Sequence, residues 1–203
     1  GYTSFFPYKE YVCIVSPYAS YGSLYDYIKQ YHPYGITSEL ASVFFKQMLQ
    51  AIFYLHGLGI AHRDIKPGNF LVYDPDPKHP NIVLADLGLA GFLVRGSICR
   101  EFMGTRDYSA PEIIAKVGYN MSADIWSLGI SLFFMLTGNQ PLPSFDKFPK
   151  DFKHKIVRGL LNYDLLEIMK ISEDAIDLIQ KLCHIAPNKR IKIEDALIHP
   201  FIA

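Results

Sequence analysis

The segment from Ser122 to Leu136 constrains this chain more than any other. It carries no charge after Asp124, and its apolar side chains fall on nearly every face of a helical projection. A helix of that kind has no water-facing side and belongs at the centre of a domain, with other elements packed around it. Its strongly apolar part, Ile125 to Leu136, contains Ser127 and Ser131 and falls short of the roughly 20 apolar residues that cross a bilayer. The chain has 203 residues, half of them apolar and 20% charged, enough for one substantial core around such a helix.

The remaining pattern supplies the surroundings. Leu24 to Tyr31 reads as a short helix. Thr37 and Ser38 precede a run with Leu40, Val43, Phe44, Met48, Ala51, Ile52 and Leu55 on one helix face, and Gly57 and Gly59 are expected to stop it. Tyr11 to Val15, Phe70 to Tyr73 and Ile82 to Leu84 read as short strands, the last two separated by an Asp/Pro-rich turn from Asp74 to Pro80. From Asp151 onward the pattern is helical, with a turn at Pro187-Asn188. No repeat or low-complexity linker occurs. The expectation is one mainly α unit with short β hairpins.

Composition narrows the partners. Twenty Lys and Arg offset twenty Asp and Glu, so charge gives no argument for a nucleic-acid or anionic-membrane partner. Cys13, Cys99 and Cys183 are odd in number, far apart and not in a C-x-x-C pair, which suggests neither a disulfide framework nor a zinc site and points to a reducing, cytoplasmic setting. No signal peptide is visible at the start. The chain opens on Gly1, and the expectation is a piece of a longer polypeptide. Oligomeric state is open.

The chemistry concentrates in His62-Arg63-Asp64-Ile65-Lys66-Pro67-Gly68-Asn69, between the long helix and a strand. Asp86-Leu87-Gly88 begins seventeen residues after Asn69, directly after the second of the paired strands, and Ala110-Pro111-Glu112 stands further on. Asp124 to Gly129, Pro187 to Arg190 and His199-Pro200-Phe201 complete the series. In this order and spacing the motifs resemble the protein-kinase signature set over essentially the whole chain, as its C-terminal lobe. The His199-Pro200-Phe201 ending is similar to that of calcium/calmodulin-dependent-kinase relatives.

The resemblance implies roles. Asp64 would orient the hydroxyl that accepts phosphate from ATP, and Lys66 would stabilise charge on the phosphoryl group. Asn69 and Asp86 would hold Mg²⁺ through oxygen. Thr105 would contact Asp64 and Lys66, marking a serine/threonine enzyme acting on a protein substrate. Arg106 stands where the family usually has proline, a departure in the substrate pocket. Gly68 stands where kinases that want arginine near the target often place glutamate, which argues against a strongly basic substrate. Glu112 and Arg190 resemble a structural ion pair. Asp124 is either a plain acid at a helix start or a carboxylate bonded to the backbone of the catalytic loop.

Aligned on Gly22, residues 1–15 resemble the last strands of an N-terminal lobe, 16–23 its hinge and 24–203 the C-terminal lobe. Ser16 falls at the gatekeeper position. Pro17, Ala19, Ser23 and Leu71 would border the nucleotide; Pro17 has no N–H, but its carbonyl remains. Leu87 replaces the usual phenylalanine and is expected to fill a similar pocket. Glu101 stands where relatives carry an activating phosphate. It either supplies standing charge to Arg63 or is solvated beside Arg100; Ser97 is the next candidate phosphosite. His56, His79, His154 and His199 show no metal spacing and read as ordinary. The tyrosines between Tyr2 and Tyr34 read as core and hinge packing.

The sequence contains no Gly-x-Gly-x-x-Gly loop and no Val-Ala-Ile-Lys strand, and Lys9 lies too close to the hinge strand to serve. The expected activity is therefore that of a partial catalytic domain, poorly active by itself. The alternatives are a pseudokinase-like binding or scaffold module and a small-molecule phosphotransferase with a similar loop.

Overall fold

The structure, a computed structural model, describes residues 4–76, 78–93 and 97–202. It opens with an antiparallel hairpin of β1 (Ser4–Tyr8) and β2 (Tyr11–Val15), whose register pairs Phe6 with Cys13. Then follow α1 (Leu24–Tyr31), α2 (Ser38–Gly57) and β3 (Ile60–Ala61). Next comes an antiparallel pair, β4 (Phe70–Asp74) and β5 (Asn81–Leu84), and then β6 (Gly91–Phe92), which pairs with β3. The rest is helical: α3 (Pro111–Ile114), α4 (Ser122–Thr137), α5 (Pro149–Ile156), α6 (Tyr163–Ile168), α7 (Glu173–Leu182) and α8 (Ile193–Leu197).

The expected central helix is α4, and every residue from Ala123 to Thr137 in it is buried. It packs against α2 on one side and α7 on the other. Burying its polar residues would be costly if they lacked partners. Ser127 donates to the carbonyls of Ala123 and Tyr108, Ser131 to that of Ser127, and Thr137 to that of Phe133. The helix ends where Gly138 takes a φ of 68°, a left-handed conformation that glycine adopts without strain. Where α4 meets α7, Gly129 faces Leu182 and Cys183, and a Cβ there would run into the Cys183 sulfur.

Side-chain caps fix the starts of three helices: Ser23 for α1, Thr37 for α2 and Ser172 for α7, each accepting from a backbone N–H of the first turn. Gly57 does not stop α2; it is the last helical residue, and the chain turns at Leu58 and at Gly59, whose φ is 76°. The Asp/Pro-rich connection is built from Asp74 and Asp76, whose carboxylates accept from the backbone two residues on; Pro77 lies outside the described residues.

The packing expected of the early tyrosines is met only in part. Among the described tyrosines before residue 35 only Tyr27 is buried, because the others sit on the hairpin or on the outer faces of α1 and its flanking loops; Tyr2 lies outside the described residues. The β1–β2 hairpin is exposed along both faces. No helix among the described residues is long and apolar enough to cross a membrane, and Cys13, Cys99 and Cys183 form no disulfide.

Candidate active site

The loop from His62 to Asn69 connects β3 to β4, and α4 holds it from below. Asp124, in the first turn of α4 and only 2% exposed, accepts the backbone N–H groups of His62 and Arg63, each at 2.9 Å. His56 Nε2, at the end of α2, lies 2.9 Å from the same carboxylate. Arg63 has a φ of 68°, a conformation that costs a non-glycine residue free energy and persists here because these bonds over-determine it. Its side chain donates to the Leu89 carbonyl at 2.6 Å. Of the two readings of Asp124, the structure has the carboxylate on the loop backbone.

On that platform stands Asp64. One carboxylate oxygen accepts the Thr105 N–H at 2.8 Å; the other accepts Lys66 Nζ at 2.8 Å and the Asn69 amide nitrogen at 3.1 Å. Lys66 also donates to the Thr105 hydroxyl at 2.7 Å, and Asn69 to the Asp64 carbonyl at 2.8 Å. The activation segment, Asp86 to Glu112, can come this close because Gly104 takes a φ of 88° against the Arg63 carbonyl, where a side chain would clash. Burial pushes the Asp64 carboxyl up. The hydrogen bonds from Lys66 and Thr105, the Lys66 charge and the Asn69 bond outweigh that and hold it below the ordinary carboxylate value. Asp64 is thus an anion at neutral pH with its proton-accepting oxygens fixed in direction.

Asn69 and Asp86 are joined through the backbone: the Ala85 N–H donates to the Asn69 carbonyl at 2.8 Å. The Asn69 amide nitrogen is committed to Asp64, which leaves the amide oxygen for another partner. Asp86 is exposed, has a φ of 58° and accepts only the Gly88 N–H, at 3.1 Å, among the described residues. One amide oxygen and one open carboxylate suit a hard cation such as Mg²⁺, which takes few protein ligands and completes its shell from phosphates and water. No group of three or more His, Cys, Asp or Glu with metal-holding geometry occurs among the described residues.

The expected nucleotide border is contiguous with this loop. Ser23 bridges to Leu71, Val72 donates to the Gly22 carbonyl at 2.9 Å, and Ala19 is buried while Ser16 and Pro17 are exposed. The Tyr73 hydroxyl donates to the Pro17 carbonyl at 2.9 Å, so that carbonyl already has one partner. The Ser23 hydroxyl caps α1 and also bonds the Asp26 carboxylate at 2.6 Å.

One expectation about the activation segment is corrected, and one open alternative in it is decided. Leu87 fills no pocket but is 55% exposed, the neighbouring Leu89 being exposed as well. Of the two readings of Glu101 the structure has the solvated one: the side chain is exposed and makes no ion pair with Arg63 among the described residues, Arg63 being turned onto Leu89. Glu112 and Arg190 do pair, through two bonds of 2.7 Å, with almost no solvent contact. Sequence reading missed His56, and its one signal was position: the last turn of a helix that leads into the loop.

The chain belongs to the protein kinase family: the model of the protein kinase domain matches residues 1–202. Its relatives are serine/threonine kinases. It is 35% identical over 93% of its length to serine/threonine-protein kinase GIN4 of Saccharomyces cerevisiae, covering 16% of that protein. It is 36% identical over 91% of its length to the probable serine/threonine-protein kinase fhkA of Dictyostelium discoideum, covering 35% of it. To calcium/calmodulin-dependent protein kinase type 1 of Macrobrachium nipponense the figures are 33%, 96% and 55%. The chain thus spans between about a sixth and just over half of these curated relatives.

Proposed function

We propose that this chain carries the acceptor and metal side of a protein serine/threonine kinase, which moves the γ-phosphoryl group of ATP to a serine or threonine hydroxyl of a protein. The observation that carries the reading is the Asp64 carboxylate, ionised and held by Lys66, Thr105 and Asn69. In the transfer, a bond forms between the acceptor oxygen and the γ-phosphorus while the bond from that phosphorus to the β–γ bridging oxygen breaks. Asp64 accepts the hydrogen bond of the attacking hydroxyl, aims its lone pair and takes up or passes on the proton. Lys66, anchored at Asp64 and Thr105, sets a positive charge beside the oxygens of the moving group. Asn69 and Asp86 would hold Mg²⁺, which when bound neutralises phosphate charge.

Residues 4–15 fit the edge of an N-terminal lobe. A lone two-stranded hairpin is marginal in water, and this one carries Phe6, Tyr11, Val12 and Ile14 on open faces. Residues 16–23 then serve as the hinge and the remainder as the C-terminal lobe, with Pro17, Ala19, Ser23 and Leu71 at the adenine edge. An intracellular setting fits the use of ATP.

The test is phosphate transfer from Mg²⁺-ATP in the full-length context. Phosphoserine or phosphothreonine should form, and Asp64→Asn or Asp86→Ala should each cut the rate about a hundredfold or more. Phosphotyrosine as the main product, or full activity of Asp64→Asn, would overturn the assignment. The 203-residue chain alone, lacking a glycine-rich phosphate loop and a strand lysine, should bind ATP weakly and transfer negligibly.

A further inference from the structure

Arg106 departs from the family pattern, and its surroundings give it work that the phosphoryl-transfer machinery leaves unexplained. It follows Thr105 directly, so it stands one residue from the group that bonds Asp64 and Lys66. Its guanidinium lies between two aromatic rings, 4.9 Å from the centre of Phe102 and 4.9 Å from the centre of Phe145. The Phe145 backbone is itself fixed, donating to the Asp107 carboxylate at 2.8 Å. Stacking of this kind holds a guanidinium in place without neutralising it.

The same rings border a cavity of about 250 Å³, lined by Phe102, Arg106, Ile113, Ile114, Lys116, Phe145 and Lys153. Lys153 Nζ, from α5, lies 5.8 Å from the centre of the Phe145 ring. Three cations thus border one apolar-floored hollow, and none of its lining residues is acidic. Among the described residues none of the three makes an ion pair. Of the acids close in sequence to these lining residues, Asp107 accepts from the Phe145 N–H and Asp151 pairs with Lys155, while Glu101 and Glu112 border a separate hollow that Lys116 also lines. In a chain of zero net charge, this concentration is local.

We infer that the Arg106–Lys116–Lys153 cavity is a specificity site that takes an acidic side chain of the polypeptide acceptor close to its target hydroxyl. The inference rests on the protein-kinase reading above. The guanidinium, already oriented by two rings, presents its N–H fork to a carboxylate with little further loss of freedom. The two lysines add charge without demanding geometry. Glycine at position 68, unable to pair with a basic substrate residue, agrees with a preference for acid.

The experiment is a titration of the 203-residue chain, followed by heteronuclear NMR, with serine peptides in which one glutamate or one lysine is walked through the positions flanking the serine. At one position the glutamate peptide should bind about tenfold more tightly than its lysine counterpart, the expectation for two or three partly exposed charge pairs. Arg106→Met keeps the stacking volume and removes the charge; it and Lys153→Met should each reduce that preference, and the triple variant that adds Lys116→Met should abolish it. Lys46→Met, on the outer face of α2, should leave it intact, and the thermal midpoints of all variants should match. Equal binding of both peptides at every position overturns the inference, as does a preference that survives the triple substitution or disappears in Lys46→Met. Serine phosphorylation by the full-length kinase regardless of neighbouring charge would overturn it while leaving the kinase assignment standing. Loss of that phosphorylation altogether would count against the assignment itself.

Discussion

Asp64 sits under opposing influences, and the balance decides its chemistry. Burial alone would raise its carboxyl above the ordinary value; Lys66, Thr105 and Asn69 bring it below. A carboxylate depressed in this way stabilises the fold above its unfolded value, and that contribution is lost as pH falls through the folded value. Lys66→Met removes both the strongest hydrogen bond and the nearest positive charge while burial stays. Carbon-detected NMR titration of the Asp64 carboxyl should then show its pKa moved upward, and an unchanged value would mean that Lys66 is not what holds the anion. At this scale the local motif was legible, since Asp64, Lys66 and Asn69 lie within one loop. His56 was not, because its partner Asp124 is 68 positions away. Nor was the pairing of Glu101 with Arg63 refuted by anything in the chain's order; the turn of Arg63 onto Leu89 depends on a φ that no pattern announces.

Among the elements, α4 sets the terms. Its all-round apolar pattern was readable as burial, and α1 and α2 were readable from period and caps. Strands β3 and β6 have two residues each, too few to show any period, and they pair the chain just before the catalytic loop with the stretch that follows Asp86-Leu87-Gly88. What no pattern conveys is how closely α4 and α7 approach. Gly129→Ala would set a methyl group against Cys183 Sγ and 2.9 Å from Leu182 Cβ. The gain in helix propensity, about 1 kcal/mol, is offset by overpacking of about 1–3 kcal/mol. Denaturant unfolding should show a net loss, and a variant more stable than the parent would mean that α7 yields easily.

At the scale of the whole molecule, two kinds of attachment differ. The Glu112–Arg190 pair ties the end of the activation segment to the turn before α8, and the same arginine donates to the carbonyls of Ser122 and His184. The β1–β2 hairpin keeps its apolar side chains in solvent. The overall class was legible because motifs recur in order along the chain. The open hairpin was not, because its residues look like core residues until their neighbours are known.

The grip of Asp124 on the backbone of His62 and Arg63 has a consequence for motion. A loop is usually among the first parts of a protein to open, yet these two amides are bonded to the first turn of the most deeply buried helix. They can exchange their hydrogens with deuterated water only when that turn lets go, so they belong to the same cooperative unit as the interior of α4. Native-state hydrogen exchange should therefore rank the His62 and Arg63 amides with those of Leu128 to Leu132, far slower than the hairpin amides from Phe5 to Ile14. Rapid exchange at His62 and Arg63 would mean that the loop breathes independently of its anchor. Slow exchange there would mean that the carboxylate facing the acceptor keeps its aim through every local opening short of the melting of α4 itself.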